Sequence, residues 1–307
     1  MITATWIVSL LLALVVMVPS EATSAVRAEA VEIPGPKNLT LTADYRAPIN
    51  PRPKAPAILL VHGIFQTGRF LVVRPLAEAL AEKGYPTLSI TLSHGVSLRT
   101  DPLTCDSLHR YPFEDSLPEI RAWLQWLRQR GHPTAILVGH SIGANQVLYY
   151  AVRTEDPALR GLVTVALVAS ERPQLIELFQ QTTGKSYDAM LQEAKRLVKE
   201  GKGDHLLTVP FFACSQARVT ARAFLSYFGP DAPRRPEPLL PAVRIPYLAV
   251  HGSADSRAAA LAPQVRSLQK ENPAFRWKEI EAADHFFREF LAEDLAEAAQ
   301  QFLKGLP

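Results

Sequence analysis

Gly139-His140-Ser141-Ile142-Gly143 lies between an apolar run, residues 135–138 (Ala-Ile-Leu-Val), and a stretch with helical spacing, residues 142–152. A Gly-X-Ser-X-Gly sequence at a strand-to-helix junction is the pattern of a nucleophile elbow. A serine placed there sits on a turn tight enough to lift its hydroxyl clear of the sheet. Side chains two residues to either side would collide, so both positions are glycine. The turn also aims the amide of Ile142 at the oxygen of a bound acyl group, beside a helix N-terminus whose dipole favours negative charge. The chemistry this permits is attack by the Ser141 hydroxyl on an acyl carbon.

A serine hydroxyl needs a base, and the base needs an orienting acid. Both should follow the serine along the chain, acid first, each on a loop after a strand. Asp255 closes Val250-His251-Gly252-Ser253-Ala254-Asp255 just beyond an apolar strand. His285 lies in Glu281-Ala282-Ala283-Asp284-His285-Phe286 beyond the last strand. Of the eight histidines, only His205, His251 and His285 follow Ser141. His205 falls in an insertion and His251 at a strand end, where a structural role is expected. Asp255 could instead cap the next helix, and Glu171 is the rival acid. The second oxyanion donor belongs after the strand ending at Val61, where His62-Gly63-Ile64-Phe65 follows. The amide of Ile64 is the first choice and that of Phe65 the second. His62 precedes the serine, so it is expected to tie loops together rather than act as base.

These residues need a scaffold, and the rest of the chain predicts one. Apolar residues 57–61 and 135–138 read as buried strands, and 87–92, 162–168, 247–250 and 275–280 as further strands. Residues 39–45 alternate and read as an early edge strand. Helical spacing appears at 69–83, 117–130, 142–152, 258–270 and 286–303. Alternation of this kind predicts an α/β fold around a mostly parallel sheet. Residues 93–113 lack periodicity and read as a long loop of the sort often used at functional sites. Residues 171–245 show no clear sheet strand, while 175–181, 187–200 and 216–227 look helical. Met190, Leu191 and Leu197 would suit either a lipid-facing helix or one packed on a core.

Together the elbow, the acid and base loops and the His62-Gly63-Ile64 turn resemble the α/β-hydrolase superfamily over roughly residues 55–303. The resemblance implies an eight-stranded, mostly parallel sheet flanked by helices, with a cap commonly inserted after the sixth strand. Residues 171–245 sit at that point and so resemble a helical cap. The single-glycine form of the Ile64 turn resembles the oxyanion loop of many esterases and lipases. Serine at the nucleophile position separates the chain from dehalogenases and epoxide hydrolases of similar fold, which use aspartate.

The 307 residues are 48% hydrophobic and 21% charged, ordinary for a globular chain. A net charge of +3 without a dense basic cluster gives no footprint for nucleic acid. Residues 6–18 form an apolar run too short to span a bilayer comfortably. Small residues and Ala28-Glu29-Ala30 follow, a signal-peptide pattern although no Lys or Arg precedes the run. The expected division is therefore a signal peptide at 1–30 and a hydrolase domain at 31–307, with cleavage nearer Ala25 or Ala28 as alternatives. The N-terminal segment, if uncleaved, is the expected membrane contact. In an exported chain the even count of cysteines suggests a Cys105–Cys214 disulfide, which would tie the cap to the core; two buried thiols that never meet are the alternative. Cys105, Asp106 and His109, with His94 nearby, lack the fuller ligand set of a metal site. The expected function is an exported carboxylic-ester hydrolase that uses no cofactor and takes a small-molecule ester or acyl substrate. The alternatives are a lipase, thioesterase, amidase or peptidase with the same triad, or a non-catalytic binding protein on the same fold.

Overall fold

The computed structural model describes residues 25–170, 172–288 and 291–306. The apolar run at 6–18 and the rival acid Glu171 lie outside them. Strands β1 (Val26–Pro34) and β2 (Thr40–Pro48) open the chain as an antiparallel pair. Then come β3 (Ala57–Val61), α1 (Val73–Glu82), β4 (Thr87–Thr91), β5 (Leu108–His109), α2 (Ser116–Gln129), β6 (Ala135–His140), α3 (Ile142–Thr154) and β7 (Leu159–Val165). An insertion carries α4 (Arg172–Thr183), α5 (Tyr187–Lys199), β8 (Leu206–Phe211), β9 (Cys214–Thr220) and α6 (Ala221–Phe228). The chain ends with β10 (Tyr247–Gly252), α7 (Ser256–Ala259), α8 (Ala262–Glu271), β11 (Phe275–Ile280) and α9 (Leu291–Lys304).

Eight strands form one sheet in the order β1-β2-β4-β3-β6-β7-β10-β11. β1 and β2 run antiparallel to their neighbours, and the remaining pairs are parallel. This is the expected α/β-hydrolase sheet, and β7, after which the insertion begins, is its sixth strand. Burial on both faces explains the unbroken apolar runs. Along β3, Leu59 and Val61 face a core layer with Trp123 and Leu127 of α2 and Val147 of α3. Ile58 and Leu60 face the opposite layer, with Leu76 and Leu80 of α1 and Phe302 of α9. Each such aliphatic or Phe side chain contributes about 1.5–3 kcal/mol by leaving water.

Several expectations shift. Residues 39–45 do form a strand, but it is not the edge, because β1 covers it. Only Val31 of β1 is buried. Its outward residues resemble the polar, small-residue end of a signal peptide. Ala28-Glu29-Ala30 lies inside the strand, with Ala28 opposite Arg46, Ala30 opposite Asp44, and Glu29 paired to Arg130. Cleavage after Ala30 would remove the first five residues of β1, whereas cleavage near Ala25 would leave the strand whole. α9 begins at Leu291 rather than at 286, because Phe287 has φ +47° and the preceding residues form the loop that bears His285.

The insertion is not purely helical. β8 and β9 form an antiparallel hairpin, and β5, from the long 93–113 loop, adds to it as a third strand. The expected helix at 216–227 is strand as far as Thr220. There the Thr220 hydroxyl accepts from the Ala223 amide and starts α6. Met190, Leu191 and Leu197 are buried with Phe179, Phe211 and Phe224 in a cluster that reaches down to Phe65, Phe113 and Ile142, so that face of α5 is packed rather than lipid-facing. Cys105 and Cys214 are bonded, with their Cα atoms 5.4 Å apart. Among the described residues no helix is long and apolar enough to cross a membrane.

Candidate active site

Ser141 stands between β6 and α3 with φ +56° and ψ −127°, a strained conformation of the kind concentrated at functional sites. What holds it there is close packing of backbone. A Cβ on Gly143 would lie 2.3 Å from the His62 carbonyl oxygen, and one on Gly139 would lie 2.3 Å from the Gly143 oxygen. The Ser141 amide donates to Val165 at the end of β7 (2.9 Å). The elbow is thus clamped by the strands on both sides, and its hydroxyl opens into a cavity.

The structure brings Ser141, His285 and Asp255 together. His285 Nε2 is 2.9 Å from Ser141 Oγ, and His285 Nδ1 is 2.6 Å from Asp255 Oδ2. A carboxylate can only accept, so Nδ1 carries the ring proton. Nε2 is then the lone-pair nitrogen facing the serine hydroxyl. Burial pushes the Asp255 carboxyl up. The hydrogen bond and charge of His285 and the Arg257 amide outweigh that, and hold it below the usual carboxylate value. The acid and base loops are also laced directly. Ala254 donates to the Ala283 carbonyl (3.0 Å), and the Ala282 amide donates to Ser253 Oγ (2.8 Å). Their relative placement therefore does not depend on the imidazole–carboxylate contact alone.

The other histidines sort by their partners. His251 Nε2 lies 3.2 Å from Glu279 on the outer edge of the sheet, and His205 sits in the insertion. His62 donates from Nδ1 to the Gly63 carbonyl (2.7 Å) and accepts at Nε2 from the Leu92 amide (3.0 Å). Burial, then the nearby Arg99 charge, lowers it to about 3. It is a neutral tie between loops, as its position in the chain suggested. His140, which sequence reasoning passed over, donates from Nε2 to the carbonyl of His285 (2.9 Å). Burial, then the His285 charge, lowers it to about 4. It steadies the backbone of the base, and its place inside the elbow motif was the available signal.

A cavity of about 370 Å³ opens at Ser141. Ile64, Phe65 and Ile142 line it with the serine, and no hydrogen bond among the described residues uses the amides of Ile64 or Ile142. The walls are rings: Phe65, Phe70 and Phe286 from the sheet side, Phe212 and Phe228 from the insertion. Arg234 and Arg257 also line it, and no Asp or Glu does among the described residues. No group of three or more His, Cys, Asp or Glu among the described residues could hold a metal ion. Cys105 is taken by its disulfide, and His109 stacks on Phe65 and Phe211.

Comparison with known proteins places this geometry. Est1E from Butyrivibrio proteoclasticus, solved with ferulic acid bound, superposes with a TM-score of 0.63 at 18% identity, covering 90% of this chain and 99% of its own. An α/β hydrolase, GrgF, from Penicillium sp. sh18 gives 0.64 at 14%, covering 91% and 98%. A putative dienelactone hydrolase from Klebsiella pneumoniae gives 0.57 at 15%, covering 92% and 99%. At these identities the likeness is one of fold. No curated protein sequence matches. The sequence profile of the alpha/beta hydrolase family matches residues 58–299, from β3 into α9, and spans Ser141, Asp255 and His285. By fold and by sequence, the chain belongs to the alpha/beta hydrolase family.

Proposed function

We propose that the chain is a serine hydrolase of carboxylic esters, exported and working without a cofactor. The observation that carries this reading is the hydrogen-bonded series Ser141–His285–Asp255 at the floor of a ring-lined cavity. His285 Nε2 takes the hydroxyl proton as Ser141 Oγ bonds to the ester carbonyl carbon. Asp255 stabilises the imidazolium that forms. The amides of Ile64 and Ile142 receive the oxyanion. Collapse of the tetrahedral adduct breaks the ester C–O bond, and His285 gives its proton to the departing alkoxide. Water then enters by the same route, with His285 again the base, and releases the acid and free Ser141.

The cavity is near the small end of ligand sites, which favours compact aliphatic or aromatic acyl groups over long chains. Its lining, which among the described residues carries Arg234 and Arg257 and no Asp or Glu, favours neutral or anionic substrates over cationic ones. In the export reading, cleavage falls close to Ala25, ahead of β1. N-terminal sequencing of protein from an exporting host reads that position, and an intact Met1 on the exported protein would refute cleavage. Stoichiometric labelling of Ser141 by a fluorophosphonate, with a panel of nitrophenyl esters from acetate to palmitate and an aromatic acid, tests the activity. Turnover highest for compact acyl groups is expected. No labelling and no turnover would leave a binding protein.

A further inference from the structure

Arg99 lies in the 93–113 loop, remote in sequence from every residue of the triad, and is only 4% exposed. Its guanidinium pairs with no carboxylate in any hydrogen bond or ion pair among the described residues. Nε donates to the Leu92 carbonyl (2.7 Å), and Nη1 to the carbonyls of Asp101 (2.9 Å) and Phe65 (3.3 Å). Nη2 donates to the Gln66 carbonyl (2.6 Å) and to His62 Nε2 (3.2 Å). Burial lowers its pKa to about 10, with the charge of Glu119 opposing, so it stays charged at neutral pH.

Burying a charge costs several kcal/mol unless its hydrogen bonds are met. Here they are met by the segment His62 to Gln66, by the Leu92 carbonyl just past β4, and by the Asp101 carbonyl of its own loop. That segment holds the Ile64 amide between its gripped ends. Phe65 beside it has φ +64°, a left-handed conformation unfavourable for a bulky residue. Its carbonyl is held from two sides, by Arg99 and by the Leu103 amide (2.8 Å). The Gln66 amide closes this turn on the Gly63 carbonyl (3.2 Å), and Arg99 grips both the Phe65 and Gln66 carbonyls from outside it. An oxyanion donor works only within a few tenths of an ångström of its place.

On the hydrolase reading above, we propose that Arg99 is a positioning residue: its guanidinium fixes the Phe65 and Gln66 carbonyls and thereby aims the Ile64 amide at the substrate oxyanion. It touches no substrate. A lysine cannot replace it, because one ammonium lacks the planar fork of donors that reaches four carbonyls and an imidazole together.

The test compares wild type with Arg99→Lys and Arg99→Gln. Near-UV circular dichroism measures the folded fraction, and exhaustive fluorophosphonate labelling counts the sites. With the best ester of the panel, kcat per labelled site should fall about 100-fold, the loss typical of one oxyanion donor, while KM moves less than about threefold. Affinity for a trifluoromethyl ketone, which mimics the tetrahedral adduct, should fall in parallel with kcat. A lowered melting temperature with kcat per site unchanged would overturn the proposal, as would a rise in KM alone. Failure of both variants to fold would assign Arg99 to stability only and overturn it too. Absence of labelling and turnover in the wild type would instead sink the hydrolase reading itself.

Discussion

The sheet and the insertion above it are built to different tolerances. Every residue of β3, β4 and β6 is buried, whereas β8 and β9 each include exposed positions. Ser141, Asp255 and His285 all stand at the ends of sheet strands, where packing on both faces fixes register. The insertion supplies Phe212 and Phe228, which line the cavity and touch none of the triad's hydrogen bonds. Its buried residues form one cluster with Phe65, Phe113 and Ile142 beneath them, and it is tied to the 93–113 loop by β5 and one disulfide. On the proposed reading, the parts that do chemistry are over-determined, and the parts that choose a substrate are held more lightly.

The sharpest way to break that comparison is at the elbow. Ser141→Ala or His285→Ala should lower kcat/KM by about four orders of magnitude or more, with little change in melting temperature. Full activity in Ser141→Ala would end the reading of the sheet as the chemical half. Next is the tie between the halves. Cys214→Ser should cost about 2–4 kcal/mol, the usual worth of a bond closing a long loop, as measured by urea denaturation under non-reducing conditions. An unchanged midpoint would mean that the insertion is held by packing alone.

A smaller effect probes the sheet side through Glu119, buried at 1% exposure beneath the 93–113 loop. Burial raises its carboxyl to about 6, partly offset by hydrogen bonds from the Ser93 amide and hydroxyl. The folded state therefore holds this proton more tightly than the unfolded chain does. The stability it contributes is complete below the unfolded pKa and is lost as pH rises through about 6. The loss from this group between pH 4 and 7.5 is about 2 kcal/mol. Glu119→Gln should flatten that part of the urea-stability profile, and parallel profiles for the two proteins would refute the assignment. The smallest effect belongs to the insertion's wall. Phe212→Ala should shift the ratio of kcat/KM for a longer over a shorter acyl ester by about tenfold, with acetate turnover nearly unchanged. An equal loss on every ester would show that the wall serves the chemistry as well.

The same division decides what could be read from the sequence. The elbow was legible because its two glycines answer a steric demand, and the proposed acid and base were legible because each follows a strand in the order the motif requires. The hairpin in the insertion was not. Its turn, Phe212-Ala213, contains no Gly, Pro, Asn or Asp, although Phe212 adopts φ +54°. β9 hides its alternation behind small and polar residues, with Cys214, Ala217 and Val219 inward. β1 was missed because an exposed edge strand needs few apolar residues. Arg99 was invisible for another reason. A lone arginine in a polar loop looks solvated, and only the fold brings Phe65, Gln66 and His62 around it.

Asn145, one turn into α3 and fully buried, accepts from the Val168 amide (3.2 Å) and donates to the carbonyls of Val168 (2.8 Å) and Arg234 (2.7 Å). Val168 lies where the chain leaves the sheet, and Arg234 where it starts back. Departure and return meet at a single amide group four residues from the nucleophile. Such a shared doorway makes the intervening segment a cassette: lengthened, shortened or exchanged, it can change over evolutionary time without disturbing the strands that leave and receive it. It is attached further by the disulfide and strand pairing to the 93–113 loop, and by Ser226, whose hydroxyl accepts from the Phe113 amide and donates to Glu114. A graft that carries residues 99–109 along with the cassette would move that wall of the cavity as one piece.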